Sequence, residues 1–346
     1  MAANCTKHTL MNAHKKLYTT PLTRLYSTLF DEYNVEVYVK RDDLNHPTIQ
    51  GNKWHKLKHN LQQAKVNKAT TLITFGGAFS NHIAATAFAA KAYGFKSIGI
   101  IRGNELADSP EKWSHTLKTA HQNGMEFQFV TRQSYRQKEN DSYLNELKNR
   151  YTNSYILPEG GTNKLAILGF KDLITDLQQQ CPNWTHLLCP VGTGGTLAGL
   201  SYFTDRLAQT SNQPLEQEKK SVSLLNTNIS KKVIGIAVLK EAEYLNKQIT
   251  DWLAQLNSKH SKSPKLNQPI NWRLLTQYHD GGYAKTSKLG VKIQQEFEND
   301  FGIPLDPVYT SKMIFAFYEQ LKMHAFPKKS KIILLHTGGL QGRKKT

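Results

Sequence analysis

Short apolar runs alternate with helical patterns of apolar and polar positions along most of the chain. Runs rich in Val, Ile, Leu and Phe predict buried strands. Segments with apolar side chains at helical spacing, or rich in Ala, predict helices. The predicted strands are 35–39, 71–75, 96–101, 126–130, 186–191, 233–238 and 331–335, and the predicted helices are 52–64, 82–93 and 197–207.

This alternation predicts an α/β fold. Strands separated by helices form βαβ units, whose strands are parallel and whose sheet is covered by helices on both faces. Ligands in such folds bind at the carboxyl ends of the strands. Two polar segments, 209–232 and 258–268, interrupt the pattern and are interpreted as surface insertions.

The composition supports a globular protein. Hydrophobic residues make up 39% of the 346 residues, which is enough for a core. Cys5, Cys181 and Cys189 form no CxxC pair, and their odd number argues against a disulfide framework. Residues 1–16 lack the sustained apolar stretch of a signal peptide, and no run approaches the length of a membrane helix. These signals predict a cytoplasmic protein in a reducing compartment.

The net charge of +18 raises the question of nucleic-acid binding. Lysines are spread along the chain, whereas nucleic-acid binders more often concentrate them in one patch with interleaved aromatic residues. The sequence therefore favours a solvated lysine-rich surface over a specific nucleic-acid partner. Charge by itself speaks to solubility and nonspecific association.

Glycines cluster where strands are predicted to end. Fourteen of the 22 glycines fall in six short stretches, and the strongest of these is the segment GTGGT at 192–196. It follows the strand 186–191 and begins a helix, so its backbone N–H groups predict an anion-binding loop. The loop lacks the Gly-Lys-Ser/Thr of a Walker motif and is not GxGxxG, so a phosphate site of another kind is favoured over a tight turn.

Two further stretches carry candidate chemistry. Lys53 follows Gly51 at the start of a predicted helix, where the positive end of the helix dipole and partial burial would lower its pKa and make the amine nucleophilic. Taken alone, it is more often an ordinary surface lysine. Ser80 and Asn81 follow the pair Gly76-Gly77, and taken alone either one is more often a helix N-cap.

Taken together, these stretches resemble a known family. The order GNK, GGAFSNH, PEGGTN, GTGGT, GGY, DPVY and HTGG is similar to that of the pyridoxal-phosphate enzymes of fold type II. More narrowly, it resembles the branch that contains 1-aminocyclopropane-1-carboxylate (ACC) deaminase and D-cysteine desulfhydrase. The resemblance extends from Thr20 to Gly342, nearly the whole chain.

The resemblance implies a fold, a domain layout and a cofactor. The fold is tryptophan synthase β-like, with two open, twisted, mostly parallel sheets covered by helices. Residues 58–160 would form a smaller α/β domain inserted into a large cofactor-binding domain of residues 1–57 and 161–346. The cofactor would be pyridoxal 5'-phosphate, held between the domains of a homodimer, and no metal is implied.

The resemblance also assigns roles residue by residue. Lys53 matches the lysine that bonds covalently to the cofactor, and Ser80 matches the serine that handles the substrate or its α-proton. Asn81 matches the residue that bonds the cofactor's phenolic oxygen. Tyr283 and Tyr309 match two active-site tyrosines. The phosphate loop corresponds to Gly192, Thr193, Gly194, Gly195 and Thr196.

Two departures from the family pattern bear on function. The family commonly reads GNKxRK, and here His55 replaces the arginine. His55 and His59 are four residues apart and could in principle bind zinc, but without an acidic third ligand a solvated helix face is favoured. At two positions next to the cofactor, where ACC deaminases carry glutamate and leucine, the chain has Thr310 and Thr337.

These threonines favour one substrate class. A carboxylate beside the ring nitrogen makes the cofactor a strong electron sink, which is expected for the opening of a cyclopropane, whereas a hydroxyl suffices for β-elimination. The expected reaction is α,β-elimination from a small β-substituted amino acid, foremost D-cysteine to pyruvate, ammonia and hydrogen sulfide. The alternatives are elimination from D-serine or a similar substrate, ACC deamination to 2-oxobutanoate and ammonia, and a non-catalytic cofactor-binding or nucleic-acid-binding protein.

Overall fold

The computed structural model of the protein describes residues 19–46, 49–211, 230–258, 270–340 and 343. Within these residues, ten strands form two sheets. The strands are β1 (Leu22–Leu25), β2 (Glu36–Lys40), β3 (Thr71–Gly77), β4 (Lys96–Arg102), β5 (Met125–Val130), β6 (Ser154–Leu157), β7 (His186–Val191), β8 (Lys232–Ala237), β9 (Trp272–Leu275) and β10 (Lys331–Leu335).

Twelve α-helices connect the strands in the same described ranges. The helices are α1 (Thr28–Glu32), α2 (Asn52–Val66), α3 (Asn81–Tyr93), α4 (His115–Gln122), α5 (Arg132–Tyr135), α6 (Asp141–Arg150), α7 (Lys164–Leu168), α8 (Lys171–Gln180), α9 (Gly195–Ser211), α10 (Tyr244–Ser258), α11 (Lys288–Phe301) and α12 (Thr310–Lys322). Short 3-10 turns occur at Asp42–Leu44, Asn104–Leu106, Pro110–Lys112 and Glu159–Gly161.

The larger sheet has the strand order β1-β2-β10-β7-β8-β9. Its strands are parallel except β1, which pairs antiparallel with β2 at the edge. Side chains alternate between two cores along each central strand. In β7, Leu187 and Cys189 face a core that includes α8, α9 and α10, whereas Leu188 faces a core that includes α11 and α12. Burial on both faces explains why these strands read as unbroken apolar runs.

The smaller sheet has the order β5-β4-β3-β6 and is parallel throughout. All four of its strands lie between β2 and β7 in the chain. Leu57 and Leu61 of α2 pack with Ala85 and Ala89 of α3 beside this sheet. The predicted fold class, with two mostly parallel sheets covered by helices, is thereby confirmed. The division at residues 58–160 stays a prediction.

Every strand predicted from the sequence is present, within two residues at either end. The pattern missed β1, β6 and β9, which have four residues each and are too short for a clear period. Most of the two predicted surface insertions lies outside the described residues, at 212–229 and 259–268.

Cys181 and Cys189 are buried free thiols. No helix of the described residues is long and apolar enough to cross a membrane.

A buried lysine joins the edge of the larger sheet to helix α8. Lys40, at the end of β2, is fully buried. Its Nζ donates to the carboxylate of Asp176, to Gln180 Oε1 at 2.8 Å and to Thr20 O at 2.6 Å. Three acceptors therefore replace the water that this ammonium group loses, which is the condition for burying a charge without a large penalty.

We expect Asp176→Ala to lower the free energy of unfolding by about 3 kcal/mol, because it leaves the Lys40 charge buried without its counterion. The measurement is urea unfolding of the purified protein. The matched control is Asp251→Ala, which removes an exposed i,i+4 partner of Lys247 and should cost about 0.5 kcal/mol or less. Equal losses in the two variants would contradict this account.

Candidate functional site

Two adjoining cavities lie where strands β3, β7 and β10 end. We call them the glycine-loop cavity and the strand-end cavity, and they share Asn52, Lys53 and Tyr309. The glycine-loop cavity is lined in addition by Lys56, Ser80, His82, Gly160, Pro190, Val191, Gly192, Thr193, Gly194 and Thr196. The strand-end cavity is lined in addition by Gln50, Asn81, Ala85, Thr337, Gly338 and Gly339.

Lys53 stands between the two cavities as the second residue of α2. Its Nζ donates to Asn52 Oδ1 at 3.1 Å and lies 5.7 Å from the centre of the Tyr309 ring. Burial lowers the pKa of this amine to about 8, and the carboxylate of Asp306 opposes the shift. The predicted lowering of the pKa is confirmed, with burial as its main cause. About a tenth of the amine is therefore neutral and nucleophilic at pH 7, compared with less than about a thousandth for an ordinary lysine.

The turn before Lys53 is fixed by its contact with the end of β10. Gly51 has φ 65° and ψ −143°, and a Cβ at this position would lie 1.9 Å from the carbonyl oxygen of Thr337. Only glycine allows both the conformation and the close approach. The side-chain amide of Asn45 closes the turn: its Oδ1 accepts from the Gly51 N–H and its Nδ2 donates to the Gly51 carbonyl, both at 2.9 Å.

The prediction that His55 and His59 lie on a solvated helix face is wrong for His55. This residue is buried, because its ring packs against Phe170 with 5.2 Å between ring centres. Its Nε2 lies 2.9 Å from Asp42 Oδ2, next to the Asn45 amide. His59 instead contacts Gln62 at the surface. The basic residue that replaces the family arginine therefore supports the turn that carries Lys53.

The glycine loop joins β7 to α9, as the sequence predicts. Gly192, Thr193, Gly194 and Thr196 line the cavity, whereas Gly195 begins the helix and faces the side chain of Thr162. A Cβ at Gly194 would lie 2.9 Å from Ile249, so this loop has no room for larger residues. Its backbone N–H groups and the start of α9 provide the anion-binding features expected from the sequence.

Sequence reasoning missed a second buried amine beside this loop. Lys56 Nζ donates to Gly160 O at 3.0 Å, to Thr162 Oγ1 at 2.9 Å and to Thr193 Oγ1 at 3.4 Å. Burial and the nearby Lys53 hold the pKa of Lys56 well below its usual range. The available signal was its spacing of three residues from Lys53, which places both side chains on one face of α2. Two amines thus face the cavity that contains the glycine loop.

Ser80 and Asn81 lie at the start of α3, one on each cavity. Ser80 occupies the N-cap position, but its side chain makes no capping hydrogen bond. Ser80 lines the glycine-loop cavity and Asn81 lines the strand-end cavity. Ser80 therefore lies at the N-cap position, as the alternative prediction had it, but its hydroxyl does not cap the helix. Both side chains are therefore placed next to the space that contains Lys53.

His82 is a further residue that sequence reasoning missed. Its Nε2 lies 2.8 Å from Thr74 Oγ1, which donates to the carbonyl of Leu157, so we assign the ring proton to Nε2. Its buried Nδ1 has no hydrogen-bond partner among the described residues. Burial and the cations of Lys53 and Lys56 hold the pKa of His82 well below its usual range. His82 is therefore a neutral imidazole beside the glycine-loop cavity.

Tyr283 and Tyr309 come together as the sequence predicts. The Tyr309 hydroxyl donates to the Tyr283 hydroxyl at 3.4 Å, and the Tyr283 hydroxyl donates to the Phe79 carbonyl at 3.1 Å. Burial raises the pKa of both phenols above the ordinary value of tyrosine. Both are therefore neutral near pH 7. Tyr309 lines both cavities, and Tyr283, which lines neither, contacts Tyr309 through its hydroxyl.

Two buried charges hold the tyrosines in place. The carboxylate of Asp306 accepts from the backbone N–H groups of Val308, Tyr309 and Thr310 at 2.8–3.0 Å, at the start of α12. Lys312 Nζ donates to the carbonyls of His279 and Gly282, next to Tyr283. Both charged groups thus bind backbone atoms. Lys312 connects the loop 278–284, which we call the Tyr283 loop, to the helix that follows Tyr309.

Thr310 and Thr337 have different surroundings. Thr337 lines the strand-end cavity directly, whereas Thr310 follows Tyr309 and does not line either cavity. Thr310 is 1% exposed, and its Oγ1 has no partner within the described residues. Among the described residues that line the two cavities there is no Asp or Glu. The polar groups around the site are therefore amines, hydroxyls, amides and one neutral imidazole.

These groups fit a ligand that carries both a carbonyl group and a phosphate. An amine with a pKa of about 8 can bond to a carbonyl carbon, and the backbone N–H groups of the glycine loop can bind a phosphate. The buried atoms Gln50 Oε1 and His82 Nδ1, without partners among the described residues, leave hydrogen-bonding capacity in each cavity.

Comparison with known proteins also indicates a ligand that carries a carbonyl group and a phosphate. A family model described as pyridoxal-phosphate dependent enzyme matches residues 15–338. A protein of Thermotoga maritima named "Putative 1-aminocyclopropane-1-carboxylate deaminase" is 29% identical, over 96% of this chain and 97% of its own length. An Arabidopsis thaliana protein named "Bifunctional D-cysteine desulfhydrase/1-aminocyclopropane-1-carboxylate deaminase, mitochondrial" is 25% identical, over 89% of this chain and 73% of its own length.

Among solved structures, one described as an "ACC deaminase homologue" has a TM-score of 0.76 and 26% sequence identity to this chain. The match covers 94% of this chain and 92% of the other.

We expect the Lys53 amine of the cofactor-free protein to react with an acylating reagent at a rate that rises with pH and levels off above pH 8. Only the neutral amine reacts, and its pKa is lowered to about 8. The measurement is labelling at a series of pH values, with mass spectrometry of the Lys53 peptide. Lys292, whose side chain is 70% exposed, gives the internal reference for reagent reactivity. A Lys53 rate that still rises tenfold per unit above about pH 9.5 would contradict a lowered pKa.

We expect Lys312→Met to loosen the Tyr283 loop, because two buried carbonyls lose their donor. Each unsatisfied carbonyl costs about 1–3 kcal/mol, which the loop can avoid by opening to water. The measurement is amide hydrogen exchange of residues 278–284, which should become faster. Lys292→Met is the matched control on the exposed face of α11. Unchanged exchange in the loop would count against this role of Lys312.

Proposed function

The chain belongs to the pyridoxal-phosphate dependent enzymes, in the branch of the ACC deaminase homologues, and on this basis we propose that it catalyses α,β-elimination from D-cysteine. The Cα–H and Cβ–S bonds break, the sulfur leaves as hydrogen sulfide, and one water molecule completes the conversion of the remaining fragment to pyruvate and ammonia. The substrate is a small amino acid, and the cofactor is pyridoxal 5'-phosphate.

The observation that carries this choice is the absence of a carboxylate among the described residues lining the two cavities. Asp306, whose carboxylate acts on the pKa of Lys53, accepts hydrogen bonds from three backbone N–H groups. Neutral Thr337 lines the strand-end cavity, and Thr310 stands at the position of the ACC deaminase glutamate. A ring nitrogen without a carboxylate partner makes a weaker electron sink. This sink suffices when a thiolate leaves from the neighbouring carbon.

Several residues would hold the cofactor. Lys53 would bond to it covalently, and the loop 192–196 would bind its phosphate. Asn81 would bond its phenolic oxygen, and Thr337, which lines the strand-end cavity, would stand near its ring nitrogen. When bound, pyridoxal phosphate supplies an electron sink for the pair left at Cα.

The remaining steps belong to side chains of this protein. Lys53 Nζ, with a pKa of about 8, would take the Cα proton as general base. Ser80, whose hydroxyl is free of capping, would bind the substrate carboxylate or assist this proton transfer. Tyr309 is neutral and is supported by Tyr283, so its hydroxyl could protonate the departing sulfur. We further propose that the enzyme is a cytoplasmic homodimer, as the family resemblance implies.

The second candidate is ACC deamination to 2-oxobutanoate and ammonia. It is favoured by the names of the Thermotoga and Arabidopsis relatives and disfavoured by the neutral lining described above. A non-catalytic role that uses the net charge of +18 is disfavoured, because Lys53, Ser80, Tyr283 and Tyr309 are all present at the site. Steeply salt-dependent retention on duplex DNA would be the sign of such a role.

The test is product analysis of the cofactor-loaded protein with D-cysteine, L-cysteine, D-serine and ACC supplied separately. We expect pyruvate and sulfide in equal amounts from D-cysteine. 2-Oxobutanoate from ACC, with no sulfide from D-cysteine, would overturn the proposed substrate. It would also show that a neutral lining permits cyclopropane opening.

Lys53→Ala is the control for site chemistry, and we expect it to abolish turnover. Lys292→Ala, on an exposed helix face, should leave turnover unchanged. Full activity of the Lys53→Ala protein would disprove the assigned role of the amine.

A further inference from the structure

Gln50 carries a buried polar atom that no described residue uses. Its side chain lines the strand-end cavity together with Lys53, Asn81 and Thr337. Its Oε1 is buried and has no hydrogen-bond partner among the described residues. A buried amide oxygen without a partner costs about 1–3 kcal/mol, so such atoms in native proteins usually meet water or a ligand.

The backbone fixes where this side chain can reach. Gly338 has φ +76°, and a Cβ there would lie 3.0 Å from the Cβ of Gln50. The neighbouring Gly51 is in direct contact with Thr337 O. Gln50 therefore packs against Gly338, and its side chain and that of Thr337 line the same cavity.

The strand-end cavity is the one that the glycine loop does not line. Lys53 stands between the two cavities, and the loop 192–194 lines only the other one. A cofactor whose phosphate lay at the loop and whose carbonyl carbon met Lys53 would extend its ring toward the strand-end cavity, because Asn52, Lys53 and Tyr309 line both cavities. In pyridoxal phosphate the ring nitrogen is para to the carbon that bears the carbonyl group, and it is therefore the ring atom farthest from Lys53.

We propose that the Gln50 amide donates a hydrogen bond to the ring nitrogen of the bound cofactor. The amide oxygen and nitrogen are exchanged by a half-turn of the terminal group, so the amide can present its NH₂ to the cavity. An amide donor requires an unprotonated nitrogen, which is the form expected where no carboxylate lines the cavity. The inference rests on the cofactor and not on the identity of the substrate.

The first test is the affinity of the cofactor-free protein for pyridoxal phosphate, measured by absorbance titration. We expect Gln50→Leu, which keeps the size of the side chain and removes its polar atoms, to raise the dissociation constant by about fivefold to tenfold. Gln133→Leu, on an exposed position of α5, is the matched control and should leave it unchanged. Thermal unfolding of the cofactor-free proteins checks that both variants fold.

The second test measures the protonation state of the ring nitrogen. With cofactor labelled with ¹⁵N in the ring, we expect the signal of an unprotonated, hydrogen-bonded nitrogen in the unmodified protein. Gln50→Glu places a carboxylate at the same distance and should move the signal to that of a protonated ring.

An unchanged dissociation constant in Gln50→Leu, or an unchanged ¹⁵N signal in Gln50→Glu, would overturn the assignment. An effect confined to the KM of the amino-acid substrate would overturn it as well. Because both readouts are taken without substrate, failure of the proposed D-cysteine activity would leave this inference standing, and the reverse also holds.

Discussion

The site depends on a backbone contact between two distant parts of the chain. Gly51, just before α2, lies against the carbonyl of Thr337, just after β10, with no room for a side chain between them. This contact places the start of α2, and with it Lys53, at the carboxyl end of the larger sheet. It also places Gln50 over Gly338. The hydrogen bonds of Asn45 and the contact of His55 with Asp42 hold the same turn from its other side.

Four buried or partly buried lysines show how the protein distinguishes structural amines from a reactive one. Lys40 has a carboxylate and two neutral acceptors, Lys56 has a carbonyl and two hydroxyls, and Lys312 has two carbonyls. Lys53 donates one hydrogen bond among the described residues, to the neighbouring Asn52. Burial lowers the pKa of each amine. Lys53 alone among these four combines a lowered pKa with a small number of partners, as a nucleophile requires.

The electrostatics of the site follow from the way its acids are used. Asp306 caps α12 through three backbone N–H groups, Asp42 faces His55, and Asp43 pairs with Arg41. These carboxylates stabilise the loops that surround the cavities without lining them. The amines, hydroxyls and neutral imidazole that remain favour an anionic ligand such as a phosphate. Among the described residues that line the strand-end cavity there is no carboxylate.

The sequence by itself determined the central strands, because burial on both faces leaves unbroken apolar runs. It also determined the glycine loop and Lys53, because glycine turns and motif order are local properties of the chain. The four-residue strands were not predicted, because four positions are too few to show a period of apolar residues. Lys56, His82 and Gln50 gained their significance only in the tertiary structure, where α2, α3 and the ends of β7 and β10 meet. His55 was expected to face solvent, and the contact with Asp42 and Phe170 that buries it joins segments whose proximity no local pattern records.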